Sequence, residues 1–277
     1  MTWWHSIILG IVEGITEFLP VSSTGHLTIA ESLLGYQIDA PTVTAYTAII
    51  QVGAMLAAVI YFWKDIVRIA TAFFSGITNP RKRCTDYQMA LAIIGGFAVT
   101  AVVALLTKPL IEGPLRSLWF VAGGLIIWAL VMYCGDRMWP WRGEDSIRLK
   151  DGLILGLIQC LSLIPGVSRS GATIVGGLFM GLDRVAATRF SFFLGIPTLV
   201  AAGGMQAVSE FSAIGGAGGV GWGATIIGTV VSGVVAYASI AWLLRFVSTN
   251  NFTAFVIYRI IIGFVMVGLI CAGIMIA

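Results

Sequence analysis

The sequence predicts an all-α polytopic membrane protein with six full transmembrane helices plus two re-entrant helix-loop-helix hairpins in an inverted-topology repeat. Three observations lead to this fold class. First, 58% of the 277 residues are apolar and only 10% are charged, whereas a soluble domain usually carries about 25% charged residues. Second, six segments have the length and apolar character of a membrane span. Third, two further apolar stretches are interrupted near their middle by motifs rich in serine and glycine.

Composition also excludes several classes of protein. Disorder is excluded, because the apolar side chains offer ample area to offset the entropy of ordering. No nucleic-acid partner is expected, because 16 Lys and Arg against 13 Asp and Glu give a net charge of only +3. The four cysteines are far apart and the chain has only two histidines, so neither a disulfide framework nor a Cys/His zinc site is expected.

The spans follow from apolar length, since a full crossing needs roughly 20 apolar residues. Six segments meet this requirement, at about 46–63, 88–106, 116–134, 190–208, 221–244 and 252–276. The two interrupted stretches cover about 5–35 and 151–183. Each half of these stretches is too short to cross alone. Non-helical backbone at membrane depth is tolerated only inside protein or beside a water-filled cavity, so both are predicted to be re-entrant hairpins.

The distribution of lysine and arginine sets the orientation. The connections that follow the first, third and fifth spans, and the segment that precedes the fourth, contain most of the basic residues. The connections 36–45 and 209–220 have none, and 107–115 has one lysine. Basic connections stay in the cytoplasm. Both termini are therefore expected outside, with the first hairpin entering from outside and the second from the cytoplasm.

The two hairpins resemble each other in sequence. An offset of 146 residues places Gly10, Val21, Ser22 and Gly25 on Gly156, Val167, Ser168 and Gly171. Three spans follow each hairpin, and because three is odd the second copy is inverted. One integral membrane domain is thus predicted, with halves at about 1–135 and 151–277, a cytoplasmic linker at about 136–150, and a site between the broken helices. The alternative is that two breaks rich in serine and glycine look alike by composition.

Two carboxylates lie in the first interrupted stretch. Glu13 and Glu17 are four residues apart, so they share one face of a predicted helix. Acids inside a membrane are costly and usually functional. They could hold a divalent cation through oxygen ligands, or one could act as a general base. The alternative is a pair that only solvates a wet mouth of the protein.

Hydroxyls and an imidazole follow the two acids at the first break. Ser22, Ser23 and Thr24 precede His26, one of the two histidines. A serine beside a histidine suggests an activated nucleophile. The alternatives are that one serine caps the helix that begins after Pro20, and that His26 is a satisfied interior imidazole.

An arginine marks the second break. The planar guanidinium of Arg169 suits phosphate oxygens, neighbouring glycines permit a close backbone approach, and a helix that begins there would direct its positive end at the same anion. The alternative is a salt bridge from Arg169 to Glu13 or Glu17 that only joins the hairpins. The phosphate-binding candidates are Ser22, Gly166, Ser168, Arg169, Ser170, Gly171 and Thr173.

Two polar residues of the spans are weaker candidates. Gln51 could line a cavity, and Arg259, the lone charge of the last span, could line it or pair with a carboxylate. Taken together, the anion cradle indicates phosphate, the carboxylates indicate a divalent metal or a base, and the apolar surroundings indicate a lipid-borne substrate. Phosphoryl transfer or hydrolysis on a lipid phosphate fits all three.

Both motifs closely resemble those of the bacterial undecaprenyl-diphosphate phosphatases, also called bacitracin-resistance proteins. The matching segments are EGITEFLPVSSTGH at 13–26 and PGVSRSGAT at 165–173, and the likeness extends to Gln51 and the closing 257–259. The resemblance implies an enzyme of the bacterial cytoplasmic (inner) membrane with its site on the periplasmic side. It would hydrolyse the terminal phosphate of undecaprenyl diphosphate, giving undecaprenyl phosphate and inorganic phosphate, and so recycle the lipid carrier for peptidoglycan synthesis.

The resemblance also implies functions for individual residues. It makes Glu13 and Glu17 catalytic residues and the ligands of a divalent cation, Mg²⁺ or Ca²⁺, and it makes Ser23 and His26 a catalytic pair. The phosphate loop corresponds to Ser168, Arg169, Ser170 and Thr173. One departure is Arg189, which stands where some relatives have a glutamate before Phe-Ser-Phe.

The expected mechanism keeps several alternatives open. Ser23 or a water attacks the terminal phosphate, and Glu17 or His26 moves the proton. The partners are undecaprenyl diphosphate and membrane lipid, and a homodimer stays open. A lipid flippase or transporter using the same inverted-repeat cavity is the alternative function, since midplane broken helices are common in transporters.

Overall fold

The computed structural model describes residues 1–38, 40–112, 117–215 and 220–275, so parts of the connections 107–115 and 209–220 lie outside the described residues. The described chain is helical, with no strand and only one isolated β-bridge. The α-helices are α1 Trp3–Thr16, α2 Ser23–Leu33, α3 Pro41–Tyr61, α4 Trp63–Thr78, α5 Thr85–Glu112, α6 Leu118–Asp136, α7 Leu149–Gln159, α8 Arg169–Phe179, α9 Arg184–Gly215, α10 Trp222–Val247 and α11 Thr253–Cys271.

The six predicted spans are confirmed as helices long and apolar enough to cross a membrane. They are α3, α5, α6, α9, α10 and α11, and their apolar parts are Pro41–Tyr61, Thr85–Thr107, Leu118–Asp136, Arg184–Gln206, Trp222–Val247 and Thr253–Cys271. Their ends differ by a few residues from the predicted ones, because helix ends take in polar residues that an apolar window leaves out. The protein is therefore a multi-pass membrane protein.

Helix α4 was not predicted from the sequence. Most of its large apolar side chains, including Val67 and Phe74, are exposed, while Arg68 forms an ion pair with Asp65 on the same helix. The mixture of charged and apolar residues hides such a helix from a search for continuous apolar runs. Exposed apolar side chains beside charged ones are typical of a helix that lies at a membrane surface.

Each interrupted stretch consists of two short helices joined by a break. The first pair is α1 and α2, separated by residues 17–22. The second pair is α7 and α8, separated by a 3₁₀ turn at Cys160–Leu163 and then residues 164–168. The breaks fall on the two predicted motifs.

Small residues let the first helix of each pair pack closely on a long span. A Cβ on Gly10 or Gly14 of α1 would collide with backbone carbonyl oxygens of α10. A Cβ on Gly152 or Gly156 of α7 would likewise collide with carbonyl oxygens of α5. Such close backbone contact is typical of helices in a membrane, and it holds α1 against α10 and α7 against α5.

A cluster of buried aromatic side chains supports the first break. Phe18 directly follows Glu17 and packs edge-on against Phe192 of α9, with ring centroids 5.4 Å apart. Phe62, at the end of α3, contacts the rings of Phe192 and Phe193. These rings leave little freedom to the backbone that carries Glu17.

Ion pairs join the elements at the arginine-rich end of the bundle. Arg142 of the predicted linker donates two hydrogen bonds to Asp151 of α7, at 2.9 and 2.7 Å. Arg189 pairs with Glu144 at 2.6 Å and with Asp65 at 3.1 Å. Arg189 therefore holds α9 against α4 and the linker, which gives this departure from the family pattern a structural explanation.

Candidate active site

Two serines hold the two breaks in the same unusual backbone conformation. Ser22 and Ser168 are the non-glycine residues with positive φ among those described, and both have φ 75°. Each is the N-cap of the next helix, and its Oγ accepts a hydrogen bond from the backbone N–H of Gly25 or Gly171. Non-glycine residues adopt this region only where the surroundings enforce it, and such residues cluster at functional sites.

The first residues of α2 and α8 meet at one carboxylate. The Ser23 hydroxyl donates to Oε2 of Glu17 at 2.8 Å, and Nη2 of Arg169 donates to Oε1 of the same carboxylate at 3.2 Å. Glu17 is buried, and the Arg169 side chain is only 13% exposed. The structure thus contains the Arg169–Glu17 salt bridge that the sequence analysis gave as an alternative. Ser23 also contacts Glu17, and a salt bridge that only joins the hairpins does not need this serine.

Further serine contacts bind the breaks to each other. Ser170 donates to the backbone carbonyl of Leu19 at 3.1 Å, and its Oγ lies 3.1 Å from that of Ser168. Nε of Arg169 is buried and has no hydrogen-bond partner among the described residues. A donor left over beside a buried ion pair is suited to an anion that enters the site.

Arg259 lies between the two breaks and is fully buried. Its guanidinium donates to the backbone carbonyls of Pro20 at 2.9 Å, Gly166 at 2.8 Å and Val167 at 3.1 Å. It also donates to the carbonyls of Gly124 and Leu125 on α6. The prediction that Arg259 pairs with a carboxylate is wrong in the described structure, because backbone oxygens occupy its donors.

His26 forms no hydrogen bond with Ser23 in the described structure. Its Nδ1 lies 2.8 Å from the carbonyl oxygen of Ser22, and its Nε2 lies 2.7 Å from the hydroxyl of Tyr258. A carbonyl can only accept, so Nδ1 carries the proton and the Tyr258 hydroxyl donates to Nε2. Tyr258 belongs to the segment 257–259 that shares the family resemblance, and no pattern in its own span indicates this contact.

Three phosphate-loop candidates face the protein rather than open space. Thr173 is fully buried, donates to the carbonyl of Arg169 at 2.9 Å and lies 2.5 Å from the hydroxyl of Ser191. Gly166 has φ +90°, and a Cβ there would collide with the carbonyl of Val121. The amide of Gly171 is used by the Ser168 cap. These residues shape the loop that holds Arg169.

A cavity of about 260 Å³ opens beside Ser23. Predicted site residues that line it are Glu13, Ser23 and Gln51. The other predicted site residues, including Glu17, His26, Arg169 and Arg259, are not among its lining. Thr24, one of the hydroxyl residues singled out at the first break, lines the cavity too. The remaining polar lining was not predicted: Thr28, Glu31, Thr44, Thr47 and Gln206. The spacing of Thr24, Thr28 and Glu31 puts them on one face of α2, which is the signal that could have found them.

The cavity opens at the end of the bundle poor in lysine and arginine. Ile38 and Thr44 line it from the connection 36–45, Leu118 lies just after the connection 107–115, and Gln206 lies just before 209–220. The arginine ion pairs lie at the opposite ends of the same spans.

The donor atoms suit a hard cation. No three His, Cys, Asp or Glu side chains of the described part of the chain are grouped as a metal site, so a cation would take one or two carboxylates and complete its shell with other oxygens. Oε1 of Glu13 is buried and has no partner among the described residues. Both oxygens of Glu17 already accept hydrogen bonds. The site therefore fits a cation at Glu13 better than at Glu17.

Comparison with known proteins places the chain in a family. The family described as Bacitracin resistance protein BacA matches residues 6–265. The Undecaprenyl-diphosphatase of Cutibacterium acnes is 54% identical, over 100% of this chain and 100% of its own. Undecaprenyl-diphosphatase 3 of Frankia casuarinae is 50% identical, over 98% of this chain and 97% of its own. Undecaprenyl-diphosphatase 1 of Streptomyces avermitilis is also 50% identical, over 98% and 97%. The chain therefore belongs to the bacitracin resistance protein BacA family.

Proposed function

We propose that this protein hydrolyses the terminal phosphate of undecaprenyl diphosphate, giving undecaprenyl phosphate and inorganic phosphate. The observation that carries the proposal is the contact of Ser23 and Arg169, one from each break, with the single carboxylate of Glu17. Relatives of full length are named for this activity. Their names give no support to the flippase or transporter alternative.

In this proposal the N-terminal ends of α2 and α8 bind the phosphate of the substrate. Arg169 has a buried Nε without a hydrogen-bond partner among the described residues, and its planar fork suits the oxygens of a terminal phosphate. Helices α2 and α8 both begin at this point, at Ser23 and Arg169. Their positive N-terminal ends add to the stabilisation of negative charge that builds up on phosphate.

Glu17 is the base that the geometry favours. It already accepts the Ser23 hydroxyl at 2.8 Å, whereas His26 is held by Ser22 and Tyr258. In the serine route, Glu17 takes the proton as Ser23 Oγ bonds to the terminal phosphorus and undecaprenyl phosphate leaves. Water then hydrolyses the phosphoserine. In the water route, Glu17 takes the proton of a water that attacks the phosphorus directly, and undecaprenyl phosphate leaves in the same step.

A divalent cation would be held at Glu13 and would supply charge neutralisation on the phosphate. Glu13 lines the cavity beside Ser23, so this charge would lie close to the attacked group. The prenyl chain remains outside this polar cavity, among the apolar faces of the spans, as its solubility demands.

We further infer that both helix pairs are re-entrant hairpins related by an inverted repeat. The longest of the four, α1 with 14 residues, extends about 21 Å, which is short of a hydrocarbon core of about 30 Å. Ser22 and Ser168, equivalent under the 146-residue offset, share φ 75°. The first helix of each pair packs on the second span of the opposite half, α1 on α10 and α7 on α5. A two-fold relation between the halves accounts for this exchange.

The central test is release of phosphate from undecaprenyl diphosphate by the purified protein in detergent. We expect release in the presence of Mg²⁺ or Ca²⁺, loss of release on adding a chelator, and recovery when the cation is restored. Acid quenching during turnover separates the two routes, because only the serine route leaves phosphate on Ser23. Absence of release in every condition would contradict the proposed function, and release that ignores the chelator would contradict the cation.

The orientation of the cavity is tested by cysteine labelling in intact cells. We propose that the cavity faces the periplasm of the cytoplasmic membrane, because it opens at the end poor in lysine and arginine. Two single-cysteine proteins are compared. In the first, Gln37→Cys is the single cysteine and should react with a membrane-impermeant maleimide from outside. In the second, native Cys84, which is exposed near the basic connection, is the single cysteine and should react only after permeabilisation. The reverse pattern would place the site on the cytoplasmic side.

A substitution in α9 tests the position of Arg169. A Cβ at Gly195 would collide with Nη1 of Arg169, so Gly195→Ala should push the guanidinium away from Glu17. Misplacing a catalytic group by about 1 Å can cost about 100-fold, and we expect kcat/KM for phosphate release to fall by about that factor. Gly204→Ala is the matched control on the same helix, since a Cβ there meets nothing within 4 Å. Equal rates for the two variants would contradict this geometry.

A further inference from the structure

Glu31 is a buried acid that the sequence motifs do not include. It lies near the end of α2, is 4% exposed and lines the cavity together with Glu13. One turn back on the same face of α2, Thr28 also lines the cavity. Glu31 therefore faces the same space that receives the phosphate in the proposed function.

Both cavity carboxylates have an unused oxygen. Oε1 of Glu13 and Oε1 of Glu31 are buried without a hydrogen-bond partner among the described residues. Glu13 is only 1% exposed and Glu31 only 4% exposed. Burying a polar oxygen without a partner costs free energy. Because both unpartnered oxygens belong to residues that line one small cavity, we expect a ligand to complete the site.

The charge of the lining identifies the ligand as a cation. Among the described residues that line the cavity, Glu13 and Glu31 are the charged ones, and none of these described residues is Lys, Arg or His. An anionic diphosphate that enters this space would be repelled by both carboxylates unless a cation lies between them. Ser23, Thr28 and Gln51, whose side chains contain oxygen, also line the cavity, and oxygen is the donor that hard divalent cations prefer.

We propose that Glu13 and Glu31 together bind one divalent cation in this cavity, so that Glu31, and not Glu17, is the second carboxylate ligand. Glu17 differs from them because Ser23 and Arg169 occupy its two oxygens. The inference deepens the proposed function and rests on it in one respect, namely that the bound cation contacts the phosphate of the substrate. The cation site itself requires only the residues of this chain.

Binding of Mn²⁺ to the purified full-length protein in detergent micelles tests the inference without any lipid substrate. Free Mn²⁺ is counted by its electron paramagnetic resonance signal, which is lost on binding. We expect Glu13→Gln and Glu31→Gln each to raise the Kd for Mn²⁺ by at least about tenfold, or about 1.4 kcal/mol. Glu17→Gln should bind Mn²⁺ within about twofold of the unmodified protein, although its phosphate release is lost.

Glu144→Gln is the matched control, because Glu144 pairs with Arg189 far from the cavity, and it should leave Mn²⁺ binding unchanged. Melting curves identify any variant that does not fold. If Glu31→Gln does not fold, Glu31→Asp replaces it, and we expect weaker Mn²⁺ binding because the aspartate side chain is shorter. Unchanged Kd in the folded Glu31 variant, or a loss in Glu17→Gln that matches Glu13→Gln, would overturn the inference. Failure of the proposed function is a separate result, namely Mn²⁺ binding without phosphate release by the unmodified protein.

Discussion

Replacing Glu17 with glutamine is expected to lower kcat for phosphate release by about 10³-fold, within the range that general base catalysis supplies. The amide has nearly the shape of the carboxylate and can still accept the Ser23 hydrogen bond, which is 2.8 Å long in the unmodified protein. It cannot take the proton, however, and a serine or a water that keeps its proton is a poor nucleophile. The loss therefore arises in the chemical step.

The Michaelis constant distinguishes this explanation from a loss of binding. Glu17 also holds Arg169, with Nη2 3.2 Å from Oε1, and removing the negative charge leaves the guanidinium free for the substrate phosphate. We therefore expect KM for undecaprenyl diphosphate to stay equal or to fall while kcat falls, which is the signature of an interaction needed in the transition state.

Glu144→Gln is again the matched control, since it removes the carboxylate of another Glu–Arg pair, at the arginine-rich end of the bundle. It should retain phosphate release close to that of the unmodified protein. A Glu17→Gln variant with kcat near the unmodified value would show that Glu17 only joins the two breaks, as the salt-bridge alternative holds.

The sequence predicts the spans well because the bilayer imposes their length. All six helices follow from apolar length alone, and both breaks follow from serine, glycine and proline where the apolar runs stop. Helix α4 escapes the same criterion, since Lys64, Asp65 and Arg68 interrupt its apolar residues. The sequence signal for α4 is helical periodicity, which reveals an apolar face of a helix but not a continuous apolar run.

The candidate site is predicted in composition but not in pairing. The motifs identify Glu17, Ser23 and Arg169 correctly as residues of one neighbourhood, because a polar break inside a membrane must gather its polar groups. The sequence could not tell that Ser23 contacts Glu17 and that His26 contacts Tyr258, since these contacts depend on how α2 and α11 are placed. Side-chain patterns also say nothing of backbone acceptors, which is why the partners of Arg259 were missed.

Replacing Arg259 with methionine is expected to destabilise the protein strongly, because both breaks lose a shared donor. The guanidinium satisfies carbonyls of both breaks, those of Pro20, Gly166 and Val167, and two more on α6. Methionine fills much of the space but donates to none of them, and each buried acceptor left without a partner costs about 1–3 kcal/mol. With three carbonyls of the breaks losing their donor, a loss of about 3–5 kcal/mol remains even after partial relaxation.

Such a loss should lower the Tm in detergent by about 10 °C or more, as measured by the loss of helical signal on heating. Arg259→Lys should recover only part of it, because an ammonium keeps the charge but lacks the planar fork that reaches several carbonyls at once. Arg245→Met, which removes an exposed arginine from the end of α10, should melt like the unmodified protein. If Arg259→Met also melted at the Tm of the unmodified protein, the prediction would be wrong, and other contacts would have to hold the carbonyls of the two breaks. Because Arg259 joins the break that carries Ser23 to the break that carries Arg169, its loss should lower phosphate release even below the melting temperature.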